Sequence, residues 1–224
     1  MSLANAVTLA RLPLLAGIVA LFYVPSSAVR ALALGLLVVM LWMDAVDGQI
    51  ARRRGETSLL GSVLDIASDR IVELILWVVF AQLGLIPVWI PLLILPRGVL
   101  VDSLRGVMVA QGVEPFKATS SRLAQLVVQS RTARGLYGVS KFVAFVLLAL
   151  EHALRGTAPL VAVPGGWMDV LHGLAYAASI VALVFCWVRG VPVLIEAWQW
   201  SRTPSASTPA STPAPRPEPA AARP

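Results

Sequence analysis

Charge is scarce in this chain. Only 13% of its 224 residues are charged, about half the roughly 25% of ordinary soluble domains, which excludes a conventional water-facing surface. Cysteine is scarcer still: Cys186 stands alone in the sequence, so no internal disulfide can form, and its place in an apolar run carries no redox or metal argument. We read it as packing. The two histidines, His152 and His172, fall near one connection between apolar segments and far from the acids described below, so they read as interfacial side chains rather than metal ligands. Acidic residues are outnumbered, 12 against 18 Lys and Arg, for a net charge of +6. The basic residues stand in short clusters between apolar stretches, where cytoplasmic loops meet anionic headgroups. That distribution fits a membrane surface, and no nucleic-acid partner is expected.

What abounds is apolar surface: 58% of the residues are hydrophobic and the mean hydropathy is +0.79. Several runs approach the roughly 20 residues that cross a hydrocarbon core as helix, whereas strands of a membrane barrel would alternate in polarity. The pattern predicts an all-α polytopic membrane protein with six transmembrane helices, over 6–24, 29–50, 59–84, 86–111, 134–154 and 170–190. Met1-Ser2-Leu3 offers neither a charged leader nor a small-residue cleavage site, so the first apolar segment is expected to be retained as a helix.

Arg52, Arg53 and Arg54 follow the second helix, and Lys117, Arg122, Arg131 and Arg134 follow the fourth, while the other connections carry only Arg30 and Arg155. The bias of basic loops toward the cytoplasm then puts both termini on that side. Trp77, Trp89 and Trp167 fall toward the outer interface, and Trp42, Trp187, Trp198 and Trp200 toward the inner one. Between helices 4 and 5, Leu123, Leu126, Val127 and Val128 beside Arg122 and Arg131 suit a short helix along the cytoplasmic interface. Residues 1–200 make up the membrane domain, and 201–224, built from Pro, Ala, Ser and Thr, read as a disordered tail.

Four carboxylates break the apolar pattern. Asp44 and Asp47 are three apart near the cytoplasmic end of helix 2, and Asp65 and Asp69 are four apart near the start of helix 3, so each pair shares a helix face. Acids at membrane depth cost several kcal/mol without compensation, and two like-charged pairs cost more. Divalent cations supply the counter-charge, and oxygen-only ligands favour Mg²⁺ or Mn²⁺ over zinc. Two such ions could clamp a diphosphate while stabilising both the attacking and the leaving oxygen. Gly48 and Gly61 allow close backbone approach, and Arg52, one turn past Gly48, is placed to neutralise a phosphate oxygen. The alternative is that these acids form salt bridges with Arg52, Arg70 and other cations. It is disfavoured because an intramembrane ionisable cluster points first to function.

The stretch Asp44-Ala-Val-Asp47-Gly48-Gln-Ile-Ala51-Arg52, then eight residues, then Gly61-Ser-Val-Leu-Asp65-Ile-Ala-Ser-Asp69, resembles the CDP-alcohol phosphotransferase signature at every defining position. The resemblance implies that Asp44, Asp47 and Asp65 hold two divalent ions, with Asp69 as both ligand and base for the acceptor hydroxyl. It also implies that the CDP-diacylglycerol carrier lies against Asp44, Gly48, Ala51, Arg52 and Gly61, and that the site faces the cytoplasm from the inner membrane. A homodimer is implied by the resemblance alone. Asn5-Ala-Val-Thr8-Leu-Ala-Arg11 is similar to the segment that often precedes this signature and could cover the nucleotide. Equally, Asn5 and Thr8 could cap the first helix while Arg11 snorkels to headgroups.

The acceptor is read from a second group of cations. Arg97 and Arg105 lie two turns apart on helix 4, and Arg131, Arg134 and Lys141 run into helix 5. A guanidinium at membrane depth needs a partner, and phosphate is a good bidentate one, which favours a phosphorylated acceptor. The other assignment pairs Arg97 and Arg105 with Asp102 and leaves the loop cations to lipid headgroups. Arg97-Gly-Val-Leu-Val-Asp-Ser-Leu-Arg105 is similar to the corresponding helix of bacterial phosphatidylglycerophosphate synthases, implying glycerol 3-phosphate. Ile66, Arg70 and Asp102 depart from that branch, so phosphatidylinositol phosphate synthase and phosphatidylserine synthase activities stay open. An ion or proton transporter would spread its acids across membrane depth, whereas these four cluster at one end.

Overall fold

The computed structural model describes residues 3–54, 59–110, 131–155 and 166–202. They form six helices: α1 (Leu3–Phe22), α2 (Ser27–Arg54), α3 (Leu59–Gln82), α4 (Trp89–Ala110), α5 (Arg131–Leu154) and α6 (Trp167–Arg202). No strand occurs among the described residues, as expected from the sequence. The proposed interfacial helix falls mostly in 111–130, and the tail from 203 onward, so both lie outside the described residues.

The largest departure from the expected boundaries is α6, which runs for 36 residues to Arg202 rather than stopping near 190. Pro192 lies within it. Proline removes one backbone hydrogen bond without obliging the chain to leave the helix, and neighbouring helices make such a break tolerable in apolar surroundings. At 1.5 Å per residue α6 is about 54 Å long, well beyond a hydrocarbon core of about 30 Å. At the other extreme, α3 ends at Gln82, two residues early. Gly84 takes a φ of 71°, Leu85 N–H donates to the Phe80 carbonyl and Gly84 N–H to that of Ala81, both at 3.0 Å. This is the left-handed glycine cap that closes a helix C-terminus, and the residue after it, Leu85, is buried.

In the bundle α1 packs on α2 and α3, α6 packs on α4 and α5, and α3 also meets α4 and α5. The core is aromatic at its centre. Trp77 and Phe145 meet at 4.8 Å between ring centroids, Phe22 and Phe80 at 5.8 Å, and Phe80 and Phe145 at 5.9 Å. Trp77 thus departs from the expected outer-interface position: it is fully enclosed, and its indole nitrogen has no hydrogen-bond partner. Its bulk fills the space between α3 and α5. Cys186 is buried, as read from the sequence.

Polarity is inverted relative to a water-soluble domain. Leu32, Val39, Leu92, Val99 and Val184 are exposed, while Arg11, Glu73, Arg97, Glu151 and Glu196 are buried. Apolar faces outward and charges inward are what a lipid solvent selects. Gly135–Leu154 and Trp167–Arg202 are long and apolar enough to cross a membrane, and Ala10–Phe22 and Ser27–Met43 are shorter apolar stretches.

Candidate active site

Helix α3 carries Asp65, Asp69 and Glu73 at intervals of four, so the three carboxylates stack along one face. Burial deepens along this stack. Asp65 is exposed, the Asp69 side chain keeps 45% of its surface, and Glu73 is 5% exposed. Helix α1 reaches the middle of the stack: Arg11, buried in the bundle, donates from Nη1 to Asp69 Oδ1 at 2.9 Å. Arg11 is therefore tied to the acidic stack. Of the two roles open to Arg11, snorkelling to headgroups is excluded by this pairing. Gly61 lies half-buried in the first turn of α3. Asp44, Asp47, Gly48, Ala51 and Arg52 belong to the last turns of α2, and their side chains lie outside the described ones.

Glu73 is the hub of a network that joins three helices. Its Oε1 accepts from the Tyr137 hydroxyl at 2.8 Å, and its Oε2 accepts from Arg70 Nη1 and from Lys141 Nζ, both at 2.9 Å. Arg70 also donates from Nε to Asp102 Oδ2 at 2.7 Å. Lys141, expected to bind acceptor, thus spends its charge on Glu73, and its ammonium sits 4.5 Å from the centroid of the Tyr137 ring. Arg189 approaches the same ring at 5.4 Å. Glu73, Tyr137 and Arg189 were missed in reading the sequence. Glu73 did have a signal, being one further turn along the face that carries Asp65 and Asp69.

Arg97 stands apart. It is 6% exposed and makes no hydrogen bond or ion pair among the described residues, its Nε being buried without a partner. Asp102, the carboxylate that could have neutralised it, goes to Arg70 instead. Arg105, half-buried two turns on, has partners of its own. Arg131 and Arg134 begin α5, and their side chains lie outside the described ones. The structure therefore brings together Asp69 with Arg11, and Lys141 with Glu73, and leaves Arg97 as a buried cation without a carboxylate among the described residues.

At the far end of the bundle His152 departs from the expected interfacial role by being buried, whereas the His172 side chain keeps 43% of its surface. His152 is buried and its Nε2 lies 2.8 Å from the Phe22 carbonyl, at the end of α1. His172 Nδ1 lies 2.8 Å from Glu151 Oε1, which also takes Arg155 Nη2 at 2.5 Å.

Among the described residues no three His, Cys, Asp or Glu side chains converge into a metal-holding group. The donors that the sequence offers at the acidic end are carboxylate oxygens, with the histidines engaged at the far end of the bundle. That chemistry fits a hard divalent cation.

Charges enclosed by apolar helices, with a graded stack of acids on α3 paired to Arg11, Arg70 and Lys141, define a membrane-associated helical protein. The chain belongs to the CDP-alcohol phosphatidyltransferase family, which it matches over residues 1–200. It is 29% identical over 148 residues to the cardiolipin synthase (CMP-forming) of Streptomyces coelicolor, covering 63% of each chain. With the putative cardiolipin synthase of Mycobacterium tuberculosis it shares 30% identity over 115 residues, 51% of this chain and 54% of that one. With the probable phosphatidylglycerophosphate synthase of Mycobacterium tuberculosis it shares 29% over 180 residues, 79% of this chain and 80% of that one. The chain thus spans between half and two thirds of the two cardiolipin synthase relatives.

Proposed function

We propose that this protein transfers the phosphatidyl group of CDP-diacylglycerol to the hydroxyl of a phosphate-bearing acceptor, glycerol 3-phosphate in the first instance, with release of CMP. The observation that carries the acceptor half of this reading is Arg97: a buried guanidinium with no carboxylate partner among the described residues is costly by several kcal/mol, and a phosphate that enters with the substrate would relieve it. Family membership supports the phosphatidyl-transfer half.

In this reading Asp69 accepts the proton of the acceptor hydroxyl, whose oxygen forms a new bond to the lipid-side phosphorus as the bond from that phosphorus to the CMP oxygen breaks. Arg11, bound to Asp69 Oδ1, fixes the carboxylate's orientation. Arg52, with Gly48, Ala51 and Gly61, receives the nucleotide diphosphate, and Arg97 holds the acceptor phosphate. Asp44, Asp47, Asp65 and Asp69 would hold two Mg²⁺ or Mn²⁺ ions, whose bound charge would offset that of the diphosphate and of departing CMP. The six helices all span the inner membrane with both termini and the site on the cytoplasmic side, as the basic connections favour. The protein works as a homodimer in this reading, on family resemblance alone.

The relatives named cardiolipin synthase favour a second reading, in which the acceptor hydroxyl belongs to a phospholipid such as phosphatidylglycerol. Both are tested with purified protein in detergent, CDP-diacylglycerol and a panel of glycerol 3-phosphate, phosphatidylglycerol, inositol 1-phosphate and serine. The expected result is CMP release and a phosphatidyl product with glycerol 3-phosphate, abolished by chelator and restored by Mg²⁺ or Mn²⁺. Turnover of phosphatidylglycerol alone would move the assignment to the second reading, and undiminished activity in chelator would remove the two-metal scheme.

A further inference from the structure

The face that α6 turns into the bundle carries Ala182, Cys186 and Gly190 at intervals of four, all buried. Small residues at this spacing let a neighbouring helix or side chain come close to the backbone. What comes close at Gly190 is Arg97 of α4. A methyl carbon placed on Gly190 would lie 2.9 Å from Arg97 Cζ and 3.0 Å from Nη2, and nearer still to Nε. The guanidinium therefore occupies the volume that any side chain at 190 would fill. Its Nε has no hydrogen-bond partner, so contact with the bare helix backbone, rather than a bond, limits where that edge of the guanidinium can lie.

We propose that Gly190 is a positioning residue for the acceptor: the absence of a side chain on α6 sets the place and tilt of the Arg97 guanidinium. This rests on the reading that Arg97 holds the acceptor phosphate. A planar fork recognises phosphate through parallel N–H bonds and tolerates little misalignment. The tip of an arginine is flexible, so a methyl at 190 displaces the guanidinium before it displaces the helix. The displacement weakens acceptor binding and leaves the CDP-diacylglycerol side of the site, built on α2 and α3, untouched.

The test is a four-member cycle of wild type, Gly190→Ala, Arg97→Ala and the double variant, assayed for CMP release. Glycerol 3-phosphate is the acceptor, or phosphatidylglycerol if wild type turns that over instead, and each substrate is varied in turn. Arg97→Ala should raise the acceptor KM by about 10- to 100-fold, and Gly190→Ala by about 10-fold, with the CDP-diacylglycerol KM unchanged in both. With Arg97 truncated there is nothing left to displace, so adding Gly190→Ala should change the acceptor KM no further. If Arg97→Ala raises the acceptor KM while Gly190→Ala leaves it alone, raises both KM values together or adds its full effect to that of Arg97→Ala, the positioning role is overturned and the phosphate reading stands. If Arg97→Ala leaves the acceptor KM unchanged, the phosphate reading falls and this inference falls with it. Should Gly190→Ala fail to fold, recovery of folding in the double variant supports the steric contact, and no recovery overturns it.

Discussion

Two carboxylates are buried at opposite ends of this bundle, and they are treated differently. Glu73 has both oxygens engaged, one by Tyr137 and the other by Arg70 and Lys141. Glu151 takes His172 and Arg155 on one oxygen, and its other oxygen is buried with no partner. A fully bonded buried carboxylate fixes its surroundings, because moving it would break several charge-assisted bonds at once. Glu73 lies one turn below Asp69 and ties α3 to α5, and through Arg70 and Asp102 to α4, so it sets the floor on which the acidic site stands. Glu151 joins the last turn of α5 to the start of α6, away from that site. The same residue type in two buried places thus does rigid support at one end and a local tie at the other.

The comparison predicts the strongest effect at Glu73. Removing it in Glu73→Ala leaves Arg70 and Lys141 without their shared partner inside the bundle, at a cost of about 3–5 kcal/mol. The variant should show a markedly lower melting temperature in detergent and little activity. Near-normal melting would mean that the network is not the floor we describe.

Next comes Asp69, half-exposed one turn nearer the end of the stack. Asp69→Asn preserves shape and removes the proton acceptor, so kcat should fall by about 10²-fold or more. Retained turnover in a folded variant would move Asp69 from chemistry to support and erase the contrast with Glu73.

The smallest effect is expected at Glu151. Glu151→Gln removes the charge from a carboxylate that is only half bonded, and its partners Arg155 and His172 are each 43% exposed. Water can take over for them, so stability should change by no more than about 1 kcal/mol, with both KM values unaltered. A loss of turnover here, measured with both substrates, would show that the two ends are coupled through α5.

Much of this protein was legible without coordinates because its solvent writes directly into composition. Apolar runs of spanning length marked out the six helices found among the described residues. Cys186 in an apolar run read correctly as packing. His152 misled: it looked interfacial because it falls near a connection, yet it is buried against the end of α1. The end of α6 misled as well, since the apolar run thins out near 190 while the helix continues to Arg202.

By itself the sequence determined the apolar character of the chain, the places of the six described helices, and the identity and spacing of the acids, since each depends on residues near one another in the chain. Which charge neutralises which was decided only by tertiary packing. Arg11 meets Asp69 across 58 positions, Tyr137 meets Glu73 across 64 and Lys141 meets it across 68. Packing also gave Asp102 to Arg70 rather than to Arg97, and opposed Arg97 to Gly190. The physical reason is that a buried charge is stabilised by whatever lies within a few ångströms of it. That neighbourhood is set by how helices pack against one another, which no local pattern along the chain records.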